Sequence, residues 1–259
     1  MKISDAVFIQ QGDCLELMKN IPDKHIDMIL CDLPYGTTKN KWDVVIPFDL
    51  LWNIYERIRK NNCVVVLFGA EPFSSYLRLS NIVNFRYDWI WHKSKPSGMA
   101  LSKKQPMRNH ENISVFYSGQ YNYIKEKREG FTEKTINQYK SGHLGTYRNH
   151  GDSTTGLGRT NLKKIEEMRF PTTIKKFASI PNVKGTLHPS QKPIDLLEYL
   201  IKTYTNEGDI ILDNCAGSFS TGVACINTNR KFIGYELDQK YFEIGKNRLI
   251  EANKNHILY

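Results

Sequence analysis

The apolar run Ile26–Cys31 is stopped at once by Asp32-Leu33-Pro34-Tyr35-Gly36. A near-continuous apolar stretch of that length reads as a buried strand of a parallel sheet, since a half-exposed strand would alternate. Proline and glycine then break the chain at the strand's carboxyl end, where open α/β sheets place their ligands. A carboxylate, a rigid proline and an aromatic ring at that point suit the gripping of a planar, amino-bearing ring swung out of a nucleic acid. The carboxylate accepts hydrogen bonds from an exocyclic amine while the ring stacks. Seen alone, the four residues fit an ordinary loop equally well.

The rest of the chain supports an α/β reading. Before residue 118, strand patterns at Val7–Gln11, Ile26–Cys31, Cys63–Phe68, Phe85–Trp91 and Asn112–Tyr117 alternate with helical patterns. The helices are a turn or two at Cys14–Asn20, an amphipathic stretch at Pro47–Lys60 and a segment at Pro72–Val83. Order resumes at Pro193 with a helix over Pro193–Thr205, opened by proline at its first turn. A strand at Asp209–Leu212, a helix at Thr221–Asn227, a strand at Lys231–Leu237 and a helix at Lys240–Lys254 follow. Residues 119–185 differ: they are rich in Gly, Asn, Thr and Lys, with a short helix expected only at Leu162–Met168. Ser141–Arg159 cannot bury much apolar surface and is expected to be a loop that orders on a partner.

Charge separates the same regions. Between His92 and Gly185 there are 18 Lys and Arg against 7 Asp and Glu, whereas the whole chain carries +9. Aromatics such as Phe116, Tyr121, Tyr139 and Phe170 interleave with that basic block. This is the footprint of a phosphate-binding surface, although a solvated lysine-rich face gives the same composition. At 259 residues and 40% hydrophobic content the chain fits one substantial α/β domain with an insert. No stretch approaches a membrane span and Met1–Gln11 lacks the apolar core of a signal peptide, so a cytoplasmic protein is expected. The five cysteines show no paired spacing and are expected to be reduced core residues, and no metal site is expected.

A second motif lies at Ile210–Gly222: strand, Asp213, a turn of small residues through Gly217 and Ser218, then a helix. Small residues there let backbone approach a ligand in front of a helix N-terminus. The next strand ends at Gly234-Tyr235-Glu236, about 20 residues on, where an acidic side chain holds the ribose of an adenosine cofactor. Neither the dinucleotide glycine fingerprint nor a P-loop lysine is present, which disfavours NAD and ATP.

Together these residues resemble the amino-methylating DNA methyltransferases that use S-adenosyl-L-methionine (SAM). The family's catalytic tetrapeptide, (Asp/Asn/Ser)-Pro-Pro-(Tyr/Phe), is matched by Asp32-Leu33-Pro34-Tyr35, and its cofactor loop by Asp213–Gly217. Its His-Pro-Thr-Gln-Lys-Pro segment is matched by His188-Pro189-Ser190-Gln191-Lys192-Pro193. Gly12-Asp13-Cys14-Leu15 and Asn109-His110-Glu111 are similar as well. The catalytic motif precedes the cofactor motif, the permuted order of the beta group. The resemblance therefore implies a Rossmann-like, SAM-dependent methyltransferase sheet, α/β in class, with circularly permuted motifs. Residues 1–118 would form the catalytic half, 119–185 the target-recognition insert and 186–259 the SAM-binding half.

The resemblance further implies methylation of adenine N6 in double-stranded DNA by Asp32, Leu33, Pro34 and Tyr35. Glu236 would hold the ribose of SAM and Asp13, beside Cys14, its adenine. Asp213, Asn214, Ala216, Gly217 and Ser218, with Ser220 and Thr221, would face its methionine part, with Ser190 and Lys192 nearby. Family members are often dimers, and the enzyme is expected either to accompany a cognate restriction endonuclease or to stand alone, encoded by a bacterium or a phage. N4-cytosine methylation, RNA methylation and a non-catalytic DNA-binding relative are the alternatives. Two positions depart from the family pattern: Leu33 replaces a proline, and Phe219 stands where glycine is frequent. A positive φ at Phe219 would be strained; the residue is expected to be tolerated and to line the pocket.

Overall fold

A computed structural model of the chain describes residues 1–37, 43–99, 102–119, 171–179 and 191–257. Its elements run β1 (Lys2–Ser4), β2 (Val7–Gln11), α1 (Cys14–Leu17) with a 3₁₀ turn (Met18–Asn20), β3 (Ile26–Cys31), α2 (Phe48–Ile58), β4 (Arg59–Gly69), α3 (Phe73–Ser80) and β5 (Phe85–Ser97). There follow β6 (Arg108–Phe116), β7 (Ile174–Phe177), α4 (Ile194–Tyr204), β8 (Ile210–Asp213), α5 (Ser220–Asn227), β9 (Lys231–Glu236) and α6 (Gln239–Ile257). Among the described residues the strands form one sheet, ordered β1-β2-β9-β8-β3-β4-β6-β5-β7.

The five strands from β2 to β4 in that order are mutually parallel; β6 runs antiparallel to β4, β5 antiparallel to β6, and β7 parallel to β5. The sheet is thus mixed. Period-two alternation along the buried strands supplies two cores. Met28, Leu30, Val64 and Val66 face one side, where α4, α5 and α6 contribute Leu197, Leu200, Ala224 and Leu249. Ile29, Cys31, Val65 and Leu67 face the other, against Leu51, Trp52 and Tyr55 of α2 and Leu77 of α3.

Several boundaries differ from the sequence reading, and three of these bear on the site. Helix α2 ends at Ile58, two residues early, because Arg59 already pairs with Ile26 in the sheet and Lys60 Nζ reaches the Asp27 carboxylate at 2.8 Å. Pro193 sits just before α4 with extended ψ, as its N-cap rather than its first helical residue. Ile174–Phe177, inside the expected insert, pairs with Ile90–Lys93 of β5. The chain divides into one unit of residues 1–124 and 173–259 and another of 125–172. The expected loop at Ser141–Arg159 and helix at Leu162–Met168 lie outside the described residues.

The connections decide where a ligand can sit. From β8 the chain crosses through α5 to β9 on one side; from β3 it crosses through α2 to β4 on the other. β8 and β3 are themselves neighbours, paired at Met28–Ile211 and Ile29–Leu212. Crossovers that diverge leave a crevice at the carboxyl ends of those two strands. Asp213 ends one strand and Asp32 follows the other.

Candidate functional site at the sheet switch point

A cleft of about 850 Å³ opens at that crevice. It is lined by Asp32, Leu33, Pro34 and Tyr35 at one end, and by Gly12, Asp13, Cys14, Glu236 and Leu237 at the other. Asp213, Asn214, Ala216, Gly217, Ser218, Ser220, Thr221 and Lys192 lie along it too. Every described residue expected at the site except Phe219 thus borders one cavity. Ser190 lies outside the described residues.

The tetrapeptide is held as a unit. Tyr35 Oη donates to Asp32 Oδ1 at 2.6 Å, and the Tyr35 ring stacks on Phe73 with centroids 4.8 Å apart. Gly36 takes φ +68°, and a Cβ there would fall 2.9 Å from Val45 Cγ2, so only glycine turns this corner freely. Both carboxylate oxygens of the buried Asp43 accept from backbone N–H groups of that corner, Gly36 and Thr37, each at 2.9 Å. Asp43 was not expected from the sequence: it is an isolated acid seven residues from Gly36 and belongs to no motif.

Lys192, expected near the cofactor, borders the cleft and reaches the tetrapeptide as well. Its ammonium donates to Asp32 Oδ2 at 2.5 Å and lies 3.3 Å from Glu111 Oε2, while Glu111 Oε1 pairs with Lys93. Two carboxylates and two ammonium groups therefore alternate across β3, β6, β5 and the segment before α4. Burial pushes the Asp32 carboxyl up, aided by Glu111 and opposed by Lys192. For Lys192 burial acts downward, but Asp32 and Glu111 outweigh it and hold the ammonium above its ordinary range. Glu111 is lowered despite its burial, because Lys192 and Lys93 flank it. The sequence marked Asn109-His110-Glu111 only as similar to the family and passed over Lys93; the ionic role of both stayed hidden because charges on adjacent strands meet only through sheet register.

At the other end, Glu236 Oε2 accepts from Gly217 N at 2.7 Å and Oε1 from Asp238 N at 2.8 Å, so one side chain fixes two loops. Burial raises its pKa. Asp213 serves the loop itself: Oδ2 accepts from Thr221 Oγ1 at 2.6 Å and Oδ1 from Cys215 N at 3.2 Å. Burial pushes its carboxyl up to about 6. Asn214 accepts from Tyr55 Oη at 2.5 Å and donates to the sulfurs of Cys14 and Cys215. These two cysteines border the cleft, whereas Cys31, Cys63 and Cys225 are core, and all are free thiols. Arg248 of α6, also not expected, donates to Ser218 O at 3.1 Å and Ser220 Oγ at 2.9 Å, tying the loop from behind. Asp13 Oδ1 caps α1 by accepting from Leu15 N at 2.8 Å.

Phe219 does take a left-handed backbone, φ 57° and ψ 36°, but its ring does not line the cleft. It is fully buried on the α6 side, edge-on to Phe232 and Phe242. Room for it comes from Gly234 and Gly245, whose Cβ atoms would lie 2.8 and 2.1 Å from the ring. The strain expected at this position is thus offset by apolar burial in a space that glycines leave open.

This donor set fits an adenosine-type methyl donor: a carboxylate at the end of β9, a small-residue loop before α5, and an amine-gripping motif across the cleft. Among the described residues no group of His, Cys, Asp or Glu could hold a metal ion, and no helix is long and apolar enough to cross a membrane.

Comparison with known proteins agrees. The family model described as DNA methylase matches residues 26–247. Type II methyltransferase M2.DpnII of Streptococcus pneumoniae is 44% identical over 272 residues, covering 97% of this chain and 92% of its own length. DNA adenine methyltransferase YhdJ of Escherichia coli (strain K12) is 27% identical over 264 residues, covering 96% and 85%. The solved complex of M1.HpyAVI with SAM superposes at TM-score 0.63 with 24% identity, covering 94% of this chain and 98% of that one. The cytosine-N4-specific PvuII DNA methyltransferase superposes at TM-score 0.63 with 14% identity, covering 98% and 94%, and so shares the fold. With a family match over most of its length and a relative at 44% identity, the chain belongs to the DNA methylase family and is a site-specific DNA methyltransferase with SAM as its methyl donor.

Proposed function

We propose that the methyl group goes to N6 of an adenine flipped out of duplex DNA. The observation that carries this reading is the pairing of Asp32 and Tyr35 at one end of the cleft, with Tyr35 backed by Phe73 on one face. A base entering against the other face of Tyr35 brings its exocyclic amine to Asp32. SAM, when bound, supplies an electrophilic methyl group. An aromatic amine is a poor nucleophile because its lone pair is delocalised into the ring. Acceptance of its N–H bonds by Asp32 and by a main-chain carbonyl at Leu33 or Pro34 favours a tetrahedral nitrogen with its lone pair aimed at the methyl carbon. Once methylated, the nitrogen would carry a proton to lose, and the Asp32 carboxylate would be its first acceptor on the way to solvent. Asp32 supplies orientation and negative charge there, with no covalent intermediate.

Glu236 holding the ribose, Asp13 and Cys14 beside the adenine of SAM, and Gly217, Ser218, Ser220 and Thr221 facing its methionine part complete the proposal. Asp213, Asn214 and Ala216 face the same cleft, and Asp213 and Asn214 also hold the loop in shape through Thr221, Cys215 and Tyr55. Adenine is preferred to cytosine because the tetrapeptide begins with Asp and because the relative YhdJ is named for adenine. A homodimer and a cognate restriction endonuclease are the proposed partners; sedimentation tests the first. The function is tested with methyl-labelled SAM and unmethylated duplex DNA, followed by nucleoside digestion and mass spectrometry. N6-methyladenine is expected, and N4-methylcytosine would overturn the base assignment. Asp32→Ala should abolish transfer and leave SAM binding intact by calorimetry; loss of both would show Asp32 to be misassigned.

A further inference from the structure

Asp32 presents two oxygens to the cleft and both are engaged, Oδ1 by Tyr35 and Oδ2 by Lys192. An incoming amine needs an acceptor there. The same ammonium has a second carboxylate within reach, Glu111 Oε2 at 3.3 Å. That oxygen is buried and receives no hydrogen bond from the described residues, an arrangement that is costly unless something relieves it. Glu111 Oε1 is paired with Lys93, so the carboxylate is anchored. Between the two acids the ammonium lies 5.0 Å from the centroid of the Phe68 ring, a π face that attracts a cation.

We propose that Lys192 is a mobile counter-ion: its ammonium neutralises Asp32 before a target enters and swings onto Glu111 Oε2 as the exocyclic amine arrives, opening Asp32 Oδ2 to the amine N–H. This rests on the proposed function only in requiring an amine, of adenine or of cytosine. Lys192 keeps an anionic partner throughout, and the site never holds Asp32 and Glu111 as bare neighbouring anions. Glu111 is a positioning residue, acting on Asp32 through Lys192. The ionisable groups facing Asp32 are Lys192, Tyr35 and Glu111, with Lys93 behind Glu111, and with Asp213 and Cys31 at the adjoining strand ends. Because Glu111 works to raise the Asp32 pKa, neutralising it lowers that pKa.

The test compares wild type, Glu111→Gln and Glu111→Asp in steady-state methylation of unmethylated genomic DNA across pH, with thermal unfolding in parallel. In Glu111→Gln the ammonium stays on Asp32. Its kcat should fall about tenfold to a hundredfold, with KM for DNA little changed, and the acid limb of kcat should move to lower pH. Glu111→Asp keeps the charge and should recover part of kcat with the acid limb in place. A merely structural role would lower the unfolding temperature and leave the limb unmoved. An unchanged kcat and acid limb in Glu111→Gln, or equal losses in both variants, overturns the proposal. If wild type methylates no base amine, the proposed function fails first. If it methylates one and Glu111→Gln matches it, only this inference fails.

Discussion

Gly245 lies in α6, where glycine disfavours a helix by about 1 kcal/mol relative to alanine. At an open position Gly245→Ala would therefore stabilise the fold. Here the new Cβ would sit 2.1 Å from Phe219 Cδ2 and 3.0 Å from two more ring carbons. The ring cannot easily yield, since Phe219 is fully buried between Phe232 and Phe242, with centroids 6.2 and 5.9 Å away. Overpacking of this kind costs about 1–3 kcal/mol, and so short a contact belongs at the upper end. Phe219→Gly should cost about 3–5 kcal/mol for the lost ring, less about 1 kcal/mol for release of the left-handed backbone. In that background the methyl group introduced by Gly245→Ala enters space the ring has vacated, and its helix preference of about 1 kcal/mol returns. The two substitutions should thus be coupled by about 3 kcal/mol, measured as a double-mutant cycle in urea unfolding followed by tryptophan fluorescence. Should Phe219→Gly fail to fold, Phe219→Leu serves as the second background. Additivity within about 0.5 kcal/mol would refute the reasoning that Phe219 and the glycines are one packing unit.

Three further outcomes follow from the site. The Asp213 carboxyl sits near 6 when folded against an ordinary 3.8, so the folded state binds the extra proton and stability falls as pH rises between those values, by about 3 kcal/mol. Asp213→Asn, which keeps an acceptor for Thr221, should lose that slope, and an unchanged pH–stability profile would contradict it. Lys192→Met leaves two buried carboxyls facing each other and should cost about 3–5 kcal/mol at neutral pH, a deficit that thermal unfolding should show shrinking in mild acid as they protonate. Glu236→Gln turns an amide N–H toward a backbone donor at Gly217 or Asp238; calorimetry should find SAM affinity reduced about tenfold or more, and equal affinity would remove Glu236 from the cofactor site.

Much of the site was legible in the chain because its parts are local. The run Ile26–Cys31 and the breaker that follows specify a buried strand and its end, since apolar continuity and proline act within a few residues. The same holds for Ile210–Asp213, its small-residue turn, and Glu236 one strand later. These fixed the α/β class, the two motifs and their permuted order before any coordinates. What lay beyond sequence reach is what depends on distant residues meeting. The register that sets Glu111 beside Lys93, the approach of Lys192 to Asp32, and Arg248 behind Ser218 are side-chain encounters between segments far apart in sequence, and the contact of Asp43 with Gly36, though only seven residues long, has no motif to mark it. Phe219 shows the boundary most clearly. Its departure from glycine was visible, and so was the strain a left-handed backbone would impose. Whether the ring would face ligand or core was decided by Gly234 and Gly245, because the space that receives a side chain is a property of packed elements and not of the segment that carries it.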